Sequence, residues 1–157
     1  MRIRTYGGVR GLSYNSPYSI KMDITYSSNR KISAKAYIEL LCITSLKDRR
    51  PLNDIPRIEE MLKNTNLLLT AWDGNLLVGL ARSVTDYAYC CYVSDLCVME
   101  TYQRHGIGKK LLMLTKDQLH NGAKIILLAA PSAKEYYPHL GFERHECAYT
   151  LDSAVVI

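Results

Sequence analysis

The sequence predicts one domain of the α/β or α+β class, built on a mixed sheet. The chain has 157 residues, of which 48% are hydrophobic, and this is enough for one well-packed core. Two apolar runs flank Asp73-Gly74, a dipeptide typical of tight hairpins, so antiparallel strands are predicted first. A strand–helix–strand unit follows over about residues 87–130, and the two patterns together indicate a mixed sheet.

One strand and two helices are predicted before the hairpin. Residues 21–27 alternate weakly between apolar and polar, as a strand does. Ser33 is a candidate helix N-cap, and residues 55–64 form a second short helix after a polar break. Apolar residues follow the N-cap with helical spacing at Ala34, Tyr37, Ile38, Leu41 and Cys42.

The central predicted elements are a third strand, a helix and a fourth strand. Residues 87–99 are apolar on both faces, which suits a strand covered on both sides. A helix is predicted after Gly108, and Asn121-Gly122 would end it. Residues 124–130, KIILLAA, are predicted to form a buried strand.

The last predicted elements are a short helix and a short strand region. SAKEYYPHL, residues 132–140, is predicted as a helix with Ser132 as its N-cap. The tail from Phe142 is predicted to form one or two short strands. The predicted order is therefore β-α-α-β-β-β-α-β-α-β, with a short C-terminal strand region.

The net charge of +5 is concentrated at the N-terminus. Residues 1–20 contain Arg2, Arg4 and Arg10 and no acidic residue, so the rest of the chain carries only the remaining +2. We expect a flexible N-terminal arm at residues 1–20 and a single domain at residues 21–157. The arm has no dense basic cluster and the body is nearly balanced, so nucleic-acid binding is not expected.

The apolar runs and the cysteines limit which other classes of protein fit the sequence. No apolar run approaches the ~20 residues that span a membrane, and the first twenty residues lack the apolar segment of a secretory signal. The five cysteines form no C-x-x-C pair, and none stands beside a histidine at metal-ligand spacing. We therefore expect a cytoplasmic protein with reduced thiols, no bound metal and no membrane partner. The sequence leaves open whether the protein forms a homodimer.

Two glycines precede the helix that follows the third strand. Gly106 and Gly108 stand in YQRHGIGKKLL, residues 102–112, where a glycine inside a helix would cost roughly 1 kcal/mol. A helix N-terminus offers unpaired N–H groups and the positive end of the helix dipole, and glycine lets a phosphate approach the backbone. A pyrophosphate site is one interpretation, and a tight turn without a ligand is the other.

The spacing of the loop excludes two common phosphate motifs. Leu111 occupies the third glycine position of G-x-G-x-x-G, and no G-K-[ST] follows as in a P-loop. What remains is a Q-x-x-G-x-G loop, Gln103 to Gly108, after a strand containing DLCV. It resembles the acetyl-CoA loop of the GNAT superfamily of N-acetyltransferases. YYPHLGF, residues 136–142, resembles that superfamily's helix-to-strand segment, and the resemblance spans about residues 21–150.

The resemblance implies the GNAT acyl-CoA N-acyltransferase fold, acetyl-CoA as cosubstrate and a primary amine as acceptor. Backbone groups of Cys97 and Val98 would pair with the pantetheine arm, and the Val98 N–H would polarise the thioester carbonyl. Relatives splay two strands apart here, often with a bulge in the first. The pyrophosphate would be bound by Gln103, Arg104, His105, Gly106, Ile107, Gly108 and Lys109.

The resemblance also implies a general acid. Tyr137, five residues before Phe142, matches the tyrosine that protonates the departing thiolate, and Tyr136 beside it is expected in the core or the substrate wall. An amine has a pKa near 10, so acyl transfer also needs a base or a water relay. Asp95 is the candidate base because it shares the strand face of Cys97. Its alternative role is to pair with an arginine or to cap a loop.

The expected activity is N-acetyl transfer to a small molecule, peptide or protein amine, by direct attack in a ternary complex. A non-catalytic acyl-CoA-binding regulator on the same fold is the alternative. The asparagine that many relatives place near the last helix is absent from AAPSAKE, and the chain after Phe142 is short for a final hairpin. Arg49 and Arg50 would either attract an acidic acceptor or form a solvated linker.

Overall fold

A five-stranded mixed sheet forms the centre of the molecule. The computed structural model describes residues 22–156, so the predicted arm at residues 1–20 lies outside the described residues. The strands follow one another in chain order across the sheet, which is antiparallel from β1 to β4, while β5 is parallel to β4. They are β1 (Ile24–Ser27), β2 (Leu67–Asp73), β3 (Leu76–Thr85), β4 (Cys90–Val98) and β5 (Lys124–Ile126). The predicted mixed-sheet fold class is confirmed.

In the described part of the chain, three α-helices cover the sheet: α1 (Ala34–Cys42), α2 (Ile55–Lys63) and α3 (Ile107–Asp117). Ser33 caps α1 as predicted, because its hydroxyl accepts a hydrogen bond from the Ala36 N–H at 3.1 Å. Within residues 22–156, no helix combines the length and the apolar character needed to cross a bilayer.

Two apolar clusters lie on the two faces of the sheet. On the α1 and α2 face, the buried side chains include Tyr37, Leu41, Ile58, Leu80 and Cys97. On the α3 face, they include Leu69, Ala81, Val93, Ile107 and Leu111. Burying apolar side chains on both faces stabilises the sheet.

A β-bulge interrupts β4 at Ser94. Arg82 of β3 pairs with Asp95, and the next residue, Ser83, pairs with Val93, so Ser94 is the extra residue of β4. Such an insertion bends the strand and shifts the alternation of its side chains by one position.

The bulge decides which side chains of β4 face which helices. Before it, Val93 packs against the α3 cluster, and after it Leu96 and Val98 pack against the same cluster. Asp95 and Cys97 therefore face α1, where Cys97 joins the other cluster and the Tyr37 hydroxyl contacts Asp95.

The C-terminal part of the chain differs from the prediction. The helix expected at residues 132–140 is replaced by two 3-10 turns, Pro131–Ala133 and Pro138–Leu140, and Ser132 lies within the first turn instead of capping a helix. Pro138 explains the break, because it has no N–H to donate and its ring would clash with the preceding helical turn.

The strands expected near the C-terminus are also corrected. β5 has three residues instead of seven, and residues 143–156 contain no strand. Within the described residues, β5 is therefore an edge strand that pairs only with β4.

Two element boundaries also shift. β4 begins at Cys90 rather than residue 87, because the Asp86 carboxylate accepts hydrogen bonds from the N–H groups of Ala88, Tyr89 and Cys90 and holds a turn there. α3 ends at Asp117, before Asn121-Gly122, where a separate turn follows.

Candidate active site

An opening forms where β4 and β5 diverge. The two strands pair only over Cys90–Tyr92 and Lys124–Ile126, whereas β4 continues to Val98. Diverging strands and a bulge in the first of them are the features that the resemblance implies at this place. The opening is lined by Ser94 and Leu96 of β4, by Leu128 and Ala130 after β5, and by Arg49, Arg50 and Tyr137.

The backbone of β4 presents alternate residues to this opening. The Met99 N–H donates to the Val78 carbonyl of β3 at 2.8 Å. Successive residues of a strand direct their backbone groups to opposite edges, so Cys97 also points toward β3, while Leu96 and Val98 point toward the opening. The backbone of Val98 therefore points away from β3, toward the side where β5 diverges, while the backbone of Cys97 points toward β3.

A loop of free N–H groups connects β4 to α3. Arg104 and Gly106 both have left-handed backbone conformations, with φ of 65° and 77°. Between residues 22 and 156, no acceptor meets the backbone N–H groups of residues 104–109, and the first helical bond joins Lys110 N–H to the Gly106 carbonyl at 2.9 Å. Consecutive N–H groups in such turns form an anion-binding concavity, which the helix dipole reinforces.

Side chains on both sides hold this loop in place. The Tyr102 hydroxyl donates to Asp73 Oδ2 at 2.8 Å, and this hydrogen bond raises the pKa of Tyr102. Gln103 Nε2 donates to the Val98 carbonyl at 3.0 Å, and Ile107 is buried in the α3 cluster. The side chains of Arg104, His105 and Lys109 are exposed to solvent.

Tyr137 places a protonated phenol at the opening. Its ring is half-buried and makes edge contacts with Tyr136 and Phe142, at centroid distances of 5.4 and 5.6 Å. Burial raises the pKa of Tyr137, the neighbouring Tyr136 raises it further, and Arg49 lowers it. The phenol is therefore neutral at physiological pH and able to donate a proton.

Tyr136 lies against the start of α3. An added Cβ on Gly108 would lie 3.0 Å from Tyr136 Oη, so this hydroxyl lies over the first turn of α3. The sequence analysis missed this contact, and the second glycine of the loop was the only signal for it.

Asp95 lies in a buried polar cluster. Its side chain is fully buried and accepts hydrogen bonds from Tyr37 Oη at 2.6 Å, from Arg50 Nε at 2.5 Å and from Arg82 Nε. Two guanidinium groups share this single carboxylate. Burial, together with the charge and hydrogen bond of Asp95, raises the pKa of Tyr37. The geometry favours the alternative role of Asp95, pairing with arginine, over that of an accessible base.

The same two arginines hold the bulge. Arg50 Nη2 donates to the Ser94 carbonyl at 2.5 Å, and Arg82 Nη2 donates to Ser94 Oγ at 2.7 Å. The ion cluster therefore fixes the residue at which β4 turns away from β5.

The Cys97 side chain is buried in the cluster that faces α1 and α2. Burial raises the pKa of Cys97 to about 12, so this thiol stays protonated. Across residues 22–156, no three or more His, Cys, Asp or Glu side chains are grouped to hold a metal ion.

Comparison with known proteins identifies the family. Residues 52–151 match the sequence model of the acetyltransferase (GNAT) domain. The chain belongs to the GNAT family. Its relatives include the uncharacterized N-acetyltransferase ycf52 of Pyropia yezoensis, which is 30% identical over 76% of this chain and 70% of that protein. Histone acetyltransferase TAP1 of Glycine max is 30% identical over 68% of this chain and 50% of that protein.

Solved GNAT structures share the fold. A GNAT family protein from Streptococcus pneumoniae superposes with a TM-score of 0.66 at 24% identity, over 82% of this chain and 96% of that one. The aminoglycoside N-acetyltransferase AAC(6′)-Iy, solved with CoA, superposes with a TM-score of 0.64 at 15% identity, over 84% and 95% of the two chains. This GNAT chain is therefore an acetyltransferase, and it shares its fold with an enzyme that was solved with CoA.

Proposed function

We propose that this GNAT chain moves an acetyl group from acetyl-CoA to a primary amine of a small molecule, peptide or protein, by direct attack in a ternary complex. One observation carries the proposal: the exposed backbone edge of β4 and the Tyr137 phenol border the same opening. Acyl transfer from a thioester needs a polarised carbonyl and an acid for the sulfur, and this opening offers both.

The loop before α3 binds the pyrophosphate in this proposal. The N–H groups of residues 104–109 supply the donors, and Lys109 adds a positive charge at the rim. Gln103 contributes indirectly, because its side chain ties the loop to the Val98 carbonyl.

The open edge of β4 binds the pantetheine arm. Leu96 and Val98 direct their backbone groups into the opening, where they pair with the amides of the arm as an added strand would. The Val98 N–H polarises the thioester carbonyl. Leu96 replaces Cys97 in this role because the backbone of Cys97 points toward β3.

Tyr137 is the general acid, and Asp95 is a positioning residue. The Tyr137 phenol protonates the departing thiolate of CoA. Asp95 is engaged by Tyr37, Arg50 and Arg82, so the amine proton leaves through water.

A screen of amines tests the proposed reaction. The protein is mixed with acetyl-CoA and one amine at a time, and free CoA thiol and N-acetylated product are measured together. We expect equimolar CoA and product with at least one amine, and an increase in Tm with acetyl-CoA because it binds the folded state. Saturable binding of acetyl-CoA without amine-dependent CoA release would favour the non-catalytic regulator.

The cellular setting is part of the proposal. We place the protein in the cytoplasm, without nucleic-acid or membrane partners. GCN5-related N-acetyltransferase 2 of Arabidopsis thaliana, 35% identical over 69 residues, is described as chloroplastic, so the plastid is the competing location. Imaging of the tagged full-length protein distinguishes the two, and light scattering tests whether the protein forms a homodimer.

A further inference from the structure

We infer that the acceptor amine carries an anionic group, a carboxylate or a phosphate, and that Arg49 binds this group at the opening. The inference rests on the proposed function and narrows its substrate class. It depends on which arginine side chains at the opening already form hydrogen bonds or salt bridges within the protein and which do not.

Arg50 is engaged by the protein itself. Its Nε donates to Asp95 at 2.5 Å, its Nη1 to the Arg49 carbonyl at 2.6 Å and its Nη2 to the Ser94 carbonyl at 2.5 Å. These contacts fix the guanidinium beside the bulge of β4. Arg50 therefore shapes the opening, and its main hydrogen-bonding directions are used.

Arg49 is not engaged in the same way. It lines the opening next to Arg50 and is exposed. Among residues 22–156, no acidic side chain forms a salt bridge with it, and no acceptor receives a hydrogen bond from its guanidinium. A guanidinium is always charged and offers a planar pair of donors that matches a carboxylate or phosphate.

The charge around the opening is positive. Arg50 and Arg82 share the one carboxylate of Asp95, which leaves one positive charge over in the buried cluster. Arg49 adds a second, and among residues 22–156 no acidic residue, not even the neighbouring Asp48, lines the opening. The charge of Arg49 also reaches the reaction centre, because it lowers the pKa of Tyr137.

This electrostatic arrangement selects among amines. Acceptors with several ammonium groups, such as diamines or lysine-rich peptides, meet repulsion at the opening, while an anionic group on the acceptor is attracted. The phosphates of CoA do not need Arg49, since the proposed pyrophosphate site lies at the N-terminus of α3.

Acceptors matched in length test the inference. We would compare 4-aminobutanoate, 4-aminobutanamide and 1,4-diaminobutane, with 3-aminopropylphosphonate to distinguish carboxylate from phosphate-like recognition. Acetylation gives kcat/KM for each, and calorimetry on the CoA-saturated protein gives the affinity of each N-acetylated product. Calorimetry measures the preference for an anionic group even if the protein acetylates none of the amines. Failure of the proposed function and failure of this inference are therefore distinguishable.

The variants are Arg49→Glu, Arg49→Lys and, as a matched control, Arg57→Glu on the exposed side of α2. We expect the parent to favour an anionic compound over the amide by about tenfold or more. Arg49→Glu should reverse the order toward the diamine, Arg49→Lys should keep part of the preference, and Arg57→Glu should leave it unchanged. Equal affinity for the anionic and neutral compounds, or the same order in Arg49→Glu, would overturn the inference.

Discussion

An added Cβ on Gly108 would lie 3.0 Å from the Tyr136 hydroxyl oxygen, so the glycine leaves room for Tyr136 above the first turn of α3. A methyl group there would be closer to the hydroxyl oxygen than in an ordinary van der Waals contact, so it would displace the Tyr136 side chain. Because this turn is the proposed pyrophosphate site, we expect the two residues to be coupled in CoA binding.

Gly108→Ala should weaken CoA binding, and Tyr136→Phe should restore part of the loss in the double variant. Removing the hydroxyl leaves the nearest ring atom 3.9 Å from the added methyl, which is ordinary contact. Calorimetric CoA affinities of the parent, both single variants and the double variant complete the cycle. Additive losses would show that the two residues are not coupled.

Asp95→Asn should destabilise the fold without changing the pH–rate profile. The carboxylate is fully buried between two guanidinium groups, and breaking such a pair costs about 3–5 kcal/mol. Chemical denaturation gives the free energy of unfolding. If Asp95 accepts the amine proton instead, the variant should lose more activity at neutral pH than at higher pH. Activity would recover as the pH rises because more of the amine is then already neutral.

Tyr37→Phe should destabilise the protein less as the pH rises. The folded pKa of Tyr37 is raised above the unfolded value near 10, so its contribution to stability is complete below pH 10 and is lost as the pH rises toward the folded pKa. The difference in Tm between parent and variant should therefore stay constant below about pH 10 and shrink as the pH rises above that value. A Tm difference that stays constant as the pH rises would show that the ionisation of Tyr37 does not affect stability.

Tyr137→Phe should lower kcat while CoA affinity stays close to that of the parent. The substitution keeps the edge contacts with Tyr136 and Phe142 and removes only the phenol proton. General acid catalysis typically contributes ~10²–10⁴-fold, and the expected loss lies in that range. Tyr136→Phe is the control, and a larger kcat loss in this control would move the acid to Tyr136.

Regular local patterns made much of the fold predictable. The spacing of apolar residues behind Ser33 predicted α1 and its cap, and the hairpin closes where Asp73 pairs with Leu76. The free N–H groups at the start of α3 were also predictable, because the first N–H groups of any helix have no acceptor within it.

The features that the sequence did not predict depended on contacts between distant residues, or on one local preference that outweighed another. Asp95 meets Arg50 from 45 residues away and Tyr37 from 58 residues away, so its burial has no local signal. The bulge at Ser94 redirects the backbone of β4, and strand alternation alone cannot locate it. Pro138, by contrast, was visible in the sequence, and its effect on the last helix outweighed the helical spacing.

A rapid-quench single turnover with acetyl-labelled acetyl-CoA tests the central claim most directly, namely that the acetyl group passes straight from CoA to the amine. Protein in excess over acetyl-CoA is mixed with an accepted amine, and the label on protein and on amine is measured over time. We predict that label reaches the amine without first appearing on the protein, in line with the protonated Cys97 thiol. Label that accumulates on a cysteine before it reaches the amine would contradict the account.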